Sequence, residues 1–187
     1  NAVTEAAQTT DGSVAGQSTG LSDSSRGLQS GQAAAGAPSG AAVADLPFKA
    51  SDAIGVLMAY SAKVRIDQIG SNDTTDTLTN GVSSRRNQLL MDISSELGVA
   101  SVDGAAEATL DKLAQIVNKA APNYKPFGAV LSEALRDRLR SLFGAAGVKQ
   151  QYIRDRVTNV WQLGEGWVAS VLAALLLDTR EGSSSRG

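Results

Sequence analysis

The feature that most constrains the fold is a series of apolar residues at helical spacing across residues 46–178, interrupted by Gly, Pro and polar turns. Leu89, Leu90, Ile93 and Leu97 form one such set. Aromatic residues make up only 4% of the chain, so the core must consist of Leu, Val, Ile and Ala. Such a core suits a small helical bundle better than a β-sandwich, and the sequence therefore predicts an all-α fold.

Six helices are predicted from these patterns. The first begins at a capping Ser51 and ends near Lys63. The other five cover Ser83 to Leu97, Leu110 to Ala121, Val130 to Phe143, Ile153 to Trp161 and Trp167 to Leu177. The connection between the first two contains Ile66, Ile69 and Leu78, which we expect to pin it to the core. The last helix is apolar around nearly its whole circumference. We therefore expect it to be buried and to pack against the first half of the chain.

Two segments of different composition flank the helical part. Residues 1–45 are rich in Ala, Gly, Ser, Thr and Gln and contain no aromatic residue, so they cannot offset the entropy lost on ordering. We interpret them as a flexible linker with a reach of roughly 35–40 Å, although an ordinary disordered tail has the same composition. Residues 179–187 form a second linker. We expect the chain to be a segment of a longer protein.

The chain contains no His and no Cys, which excludes several kinds of site. These are Ser-His and Cys-His nucleophilic sites, Cys/His zinc sites and disulfides within the chain, although Ser-Lys chemistry stays possible. The net charge of −2 gives no electrostatic case for binding nucleic acid. No signal-peptide pattern is present, and the apolar run Val168 to Leu177 is too short to span a bilayer.

The start of the second predicted helix is the candidate site. Ser83 has the residue type of an N-cap, but Arg85 and Arg86 oppose the positive end of the helix dipole by roughly 0.3–1 kcal/mol each when exposed. An anion at the helix start would reverse that sign, and a phosphate could bind both the free amides and the arginines. The alternative is an ordinary capping serine beside solvated arginines.

Other chemically interesting residues have structural interpretations. We expect the carboxylates of Asp92, Glu96 and Asp111 to be solvated, and Trp161 and Trp167 to anchor the core. Six basic residues alternate with Glu133, Asp137 and Asp155, which is typical of exposed helix faces: Arg136, Arg138, Arg140, Lys149, Arg154 and Arg156.

Two motifs resemble a known family. The run Asn80–Leu90 (NGVSSRRNQLL) is similar to the phosphopantetheine-attachment segment of the acyl carrier domain in type I fatty acid synthases of the fungal and actinobacterial kind. About 75 residues further on, Thr158–Gly166 (TNVWQLGEG) resembles the segment that precedes the last helix of these carrier domains. The apolar helix and Thr179–Gly182 continue the match, so the resemblance covers roughly residues 46–182.

This resemblance implies a four-helix acyl-carrier core at 46–121, an additional helical structural half at 122–178, and the two linkers. It implies that Ser83 carries a covalent 4'-phosphopantetheine, whose thiol this Cys-free chain lacks, and that Arg85 and Arg86 neighbour its phosphate. Stand-alone carriers usually have Asp before the serine and Leu after it, where this chain has Val82 and Ser84. Ser84 is therefore an alternative attachment point.

The implied function is a carrier that is not an enzyme by itself. It would shuttle fatty acyl thioesters to the ketosynthase, ketoreductase, dehydratase, enoylreductase and acyltransferase domains of the same cytoplasmic synthase. A phosphopantetheinyl transferase would load it, and the synthase would be a large homo-oligomer, without nucleic-acid or membrane partners. The alternative function is a non-catalytic structural helical module with a disordered N-terminal arm.

Overall fold

A computed structural model describes residues 42–179, and this part of the chain is all-α, as predicted, without a β-strand. Residues 1–41 and 180–187, which include most of both predicted linkers, lie outside the described residues. The helices are α1 (Ala50–Ala62), α2 (Thr75–Leu78), α3 (Ser83–Leu97), α4 (Leu110–Ala120), α5 (Ala129–Phe143), α6 (Gln150–Asp155) and α7 (Glu165–Asp178).

Helix α1 is the centre of the bundle. Ile54, Leu57 and Met58 are fully buried within it, and it packs against α3, α4 and α7. Helix α5 packs against α3 and α7, so that side chains from all of these helices join one hydrophobic cluster. The cluster thus extends across both predicted halves of the chain.

Helix α7 confirms the expectation drawn from its apolar circumference. Val168, Ala169, Leu172 and Leu176 are buried in it, and it contacts α1, α5 and α6. A helix placed between neighbours on several sides can bury apolar residues around its axis at little cost, because few of its positions face water.

The helix predicted over Ile153 to Trp161 is wrong in its second half. Helix α6 ends at Asp155, and a π-helical turn, Arg156–Val160, follows. Because a π turn contains more residues than an α turn, side chains beyond it leave the face that α-helical spacing assigns to them. Val157 is buried, but Trp161 is 58% exposed and is not a core anchor. Trp167 is half-buried, and its Nε1 donates to the carbonyl oxygen of Ala44 at 3.0 Å.

Two local predictions near α1 need correction. Helix α1 begins at Ala50 with Lys49 as its N-cap, so Ser51 lies inside the helix. The amide of Ser51 donates to Oδ1 of Asn118 at 3.0 Å, and the Ser51 hydroxyl accepts from Nδ2 of Asn118 at 3.0 Å, which joins α1 to α4. Ile66 is 51% exposed and does not pin the connection to the core. Ile69 and Leu78 pack against the core as expected.

Glu96, which we expected to be solvated, is only 2% exposed. Its Oε1 accepts from the Tyr124 hydroxyl at 2.6 Å and from the Gly128 amide at 2.6 Å, and its Oε2 accepts from the Leu131 amide at 2.8 Å. The carboxylate therefore caps the N-terminus of α5, where it also meets the positive end of the helix dipole. Burial, and then the hydrogen bond and charge of Glu96, raise the pKa of Tyr124. That phenol thus stays a neutral donor.

Asp45 caps α7 in the same way. Its carboxylate accepts from the amide of Gly166 at 3.0 Å and from the amide of Trp167 at 3.3 Å. The approach is close, because a Cβ on Gly164 would overlap the Asp45 carboxylate and a Cβ on Gly166 would overlap the carbonyl oxygen of Leu46. Gly164 and Gly166, which belong to the second sequence motif, therefore allow the segment before α1 to pack closely against the start of α7.

No helix within residues 42–179 combines the length and apolar character needed to cross a membrane. The same residues contain no cluster of acidic side chains suited to a metal ion.

We predict that Glu96→Gln lowers the free energy of unfolding by about 1–3 kcal/mol, because the amide group replaces one of two buried acceptor oxygens and removes the charge. Urea unfolding followed by circular dichroism measures the change. Glu107→Gln makes the same substitution at an exposed turn position and should change stability little. Equal stability of the two variants would contradict the capping role of Glu96.

We predict that Gly166→Ala lowers the free energy of unfolding by roughly 1–3 kcal/mol, because the new methyl group must displace the Leu46 backbone. Gly55→Ala is the matched control within a helix, since a Cβ there meets Ile66 Cδ1 at 3.8 Å, an ordinary contact. The control should keep or raise stability, by up to about 1 kcal/mol. Thermal and urea unfolding of both variants provide the test, and a gain of stability in Gly166→Ala would refute it.

Candidate functional site

A tight left-handed turn leads into α3. Asn80 and Gly81 have φ angles of 54° and 69°, a conformation that glycine adopts easily and asparagine tolerates. The amide of Gly81 donates to the Asp76 carbonyl oxygen at 3.0 Å, which closes the end of α2. Residues 79–82 thus connect α2 to α3, and α3 begins with exposed residues.

Helix α3 begins at Ser83, and Val82 occupies the N-cap position. The sequence prediction was thus correct for the helix but wrong by one residue for the cap. The first amide to bond back along the helix is that of Arg86, which donates to the Val82 carbonyl oxygen at 3.0 Å. The amides of Ser83, Ser84 and Arg85 therefore have no intrahelical acceptor.

Both serines of the site are exposed. Within residues 42–179 no hydrogen bond is recorded for either hydroxyl, so neither Ser83 nor Ser84 caps the helix through its side chain. At 3.6 residues per turn, Ser83 lies on the same side of α3 as Arg86 and Asn87. Ser84 is one position further around the helix. Exposure leaves both hydroxyls accessible to a modifying enzyme.

The two arginines have different surroundings. Nη1 of Arg86 lies 2.8 Å from Oδ1 of Asp76, so this half-buried cation holds the short α2 against α3. Arg85 is exposed and lines a cleft of about 460 Å³ at the end of α1, together with Lys63 and the apolar side chain of Leu89. The sequence pattern treated the arginines as equivalent, whereas the fold gives one of them a structural partner.

The electrostatics of the helix start favour an anion. The first turn of α3 contains two cations and no acidic residue. Its free amides form the positive end of the dipole of this 15-residue helix. The alternative of an ordinary capping serine does not describe this site, since the cap residue is Val82. An exposed hydroxyl beside free amides can serve as an attachment point for a phosphate group. It has no histidine base with which to act as a nucleophile in repeated cycles.

One exposed apolar residue on α3 was not identified from the sequence. Met91 is 64% exposed, two turns after the serines, while Leu89 and Ile93 on either side of it are buried. Its place outside the apolar stripe was visible in the helical spacing. An exposed Met on a helix that also carries the site is suited to contacts with other proteins.

The comparisons with known proteins agree with the motifs and the fold. The chain is 30% identical over 147 residues to the fatty acid synthase subunit alpha of Schizosaccharomyces pombe, a match that covers 79% of this chain and 8% of that relative. The chain therefore spans a small part of the length of the relative. A family model described as the acyl carrier domain of fatty acid synthase subunit alpha matches residues 44–183, which include the whole described helical bundle. The matched residues include the start of α3 with its exposed serines. The chain therefore belongs to the acyl carrier domain family of fatty acid synthase alpha subunits.

Proposed function

We propose that this chain holds growing fatty acyl chains as thioesters on a 4'-phosphopantetheine arm and carries them between the catalytic domains of a type I fatty acid synthase. The observation that carries the proposal is the start of α3, where exposed serine hydroxyls adjoin amides without intrahelical acceptors in a turn that contains no acid. Family membership supports the same conclusion. The chain is then a carrier and not a catalyst by itself.

The residues present fit such an arm. The amides of Ser83, Ser84 and Arg85 are available to phosphate oxygens, and the dipole of α3 favours a negative charge there. When bound, the group would supply the thiol that a chain without cysteine cannot provide. We infer that Ser83 is the attachment residue and Ser84 the alternative, with Arg85 and Arg86 as neighbours of the phosphate.

The division of the bundle is also a proposal. We assign residues 46–121 to the acyl-carrier core and 122–178 to a structural half, with linkers at 1–45 and 179–187. Membership of the carrier-domain family supports this assignment. Helix α1 also packs against α7, and α3 against α5, so the two parts share one hydrophobic core. Glu96 would then join the parts, because it lies on α3 and caps α5. Linkers would raise the effective concentration of the carrier at several active sites in turn.

The proposed partners are the other domains of the same synthase, which are ketosynthase, ketoreductase, dehydratase, enoylreductase and acyltransferase. A phosphopantetheinyl transferase would load the carrier. We place the protein in the cytoplasm as part of a large homo-oligomer. The relative in S. pombe, whose name is that of a fatty acid synthase subunit, supports only the assignment to such a synthase.

We predict that co-expression with a phosphopantetheinyl transferase adds one phosphopantetheine to the chain, that Ser83→Ala abolishes the addition, and that Ser84→Ala retains it. Intact mass and fragmentation of the modified peptide measure the outcome. Ser71→Ala, in the exposed loop before α2, is the matched control. If the Ser83→Ala variant is still modified and the Ser84→Ala variant is not, Ser84 is the attachment residue. No modification of the wild-type chain would favour the structural module instead.

We predict that Arg85→Ala slows loading several-fold without lowering the free energy of unfolding, because Arg85 is exposed and opposes the helix dipole. Arg86→Ala should slow loading and also destabilise the fold by about 0.5–1 kcal/mol, because it breaks the pair with Asp76. Asp76→Asn separates the two effects, since it weakens the pair but keeps the cation. Time courses of mass addition and urea unfolding provide the measurements. Wild-type loading by the double variant Arg85→Ala, Arg86→Ala would show that the arginines are ordinary surface charges.

A further inference from the structure

A second cleft lies between the last two turns of α5 and the start of α6. Its volume is about 520 Å³, and three cationic residues line it: Arg136, Arg140 and Lys149. Leu139 and Val148 contribute apolar surface to the same cleft. The sequence pattern assigned these cations to an ordinary mixed helix face, but the turn between α5 and α6 brings Lys149 to the two arginines.

The charges at this cleft are only weakly compensated. The cleft has no acidic lining residue. Arg140 lies 3.3 Å from Asp137, but both side chains are largely exposed, so the pair contributes little. Arg136 and Lys149 are exposed, and no ion pair is recorded for either within residues 42–179. The cleft therefore combines a positive rim with an apolar floor.

Exposed aromatic residues adjoin the cleft in sequence. Phe143 precedes the lining residue Gly144, and Tyr152 follows the lining residue Gln151; both are exposed. Aromatic residues and arginine are enriched at protein interfaces, where they supply most of the binding energy. A folded domain gains nothing in stability from leaving these two rings in water.

We propose that this cleft is a docking surface for an acidic peptide segment of another domain of the same synthase, with carboxylates on the cationic rim and an apolar side chain on the floor. The identity of the partner rests on the proposed function. The cleft itself, at the α5–α6 junction, contains neither serine of α3. Three cations on a chain of net charge −2 do not form the extended basic surface that a nucleic acid requires.

Zero-length carbodiimide cross-linking of the full-length protein that contains this chain tests the proposal, because the reagent joins a lysine amine only to a carboxylate in contact with it. We expect mass spectrometry to find Lys149 joined to an Asp or Glu outside residues 1–187. The charge reversal Arg136→Glu, Arg140→Glu should reduce this cross-link at least several-fold. Lys149→Arg keeps the charge but removes the reactive amine, and should eliminate the cross-link without affecting others.

Three results would overturn the proposal. They are cross-links of Lys149 only to carboxylates of residues 1–187, an undiminished yield after charge reversal, and no Lys149 product when other exposed lysines react. Phosphopantetheine on Ser83 is measured by mass in the same samples. A loaded carrier without the Lys149 cross-link would refute the docking surface alone, whereas an unloaded wild-type chain would refute the proposed function.

Discussion

The bundle depends on two carboxylates that cap helices to which they do not belong. Helices α5 and α7 start after Gly128 and Gly164, which have no side chain to bind the amides of the first turn. Glu96 supplies the acceptors for α5 and Asp45 supplies them for α7. A buried amide without a partner costs about 1–3 kcal/mol, so the buried carboxylate of Glu96 offsets a substantial penalty. The exposed carboxylate of Asp45 contributes less, because water can also reach its bonds. Because the acceptors come from far along the chain, helix capping and tertiary packing are a single interaction here.

This arrangement explains how the site is held without being covered. Helix α3 is fixed at its C-terminal end by Glu96 and along one side by its buried leucines and Ile93. Near its N-terminal end, the pair between Arg86 and Asp76 attaches it to α2. This N-terminal end has no acidic residue in its first turn. In contrast, the carboxylates of Glu96 and Asp45 cap the starts of α5 and α7. The fold thus presents an open, positive helix start on a packed support, which suits the permanently attached group of the proposed function.

The fold places the cationic side chains in different surroundings, which the net charge of −2 does not reveal. Arg86 is paired, Arg85 borders a cleft with Lys63, and three further cations surround the cleft at the α5–α6 junction. Under the proposed function, the carrier needs surfaces that recognise several partners weakly and reversibly. Exposed cations would suit this purpose, because charged groups increase association rates and select partners more than they add to affinity.

Local patterns in the sequence determined the all-α class, the start of α3 to within one residue, and the burial of α7, because helical periodicity and turn residues act over a few positions. Only the tertiary structure decided that Glu96 is buried, that Trp161 is exposed beyond a π turn, and that Arg85 and Arg86 differ. The position of Glu96 in the register of Leu89 and Ile93 was a signal for its burial, but its partners at Gly128 and Leu131 lie more than 30 residues away. Such contacts depend on how whole helices pack, which no short stretch of sequence specifies.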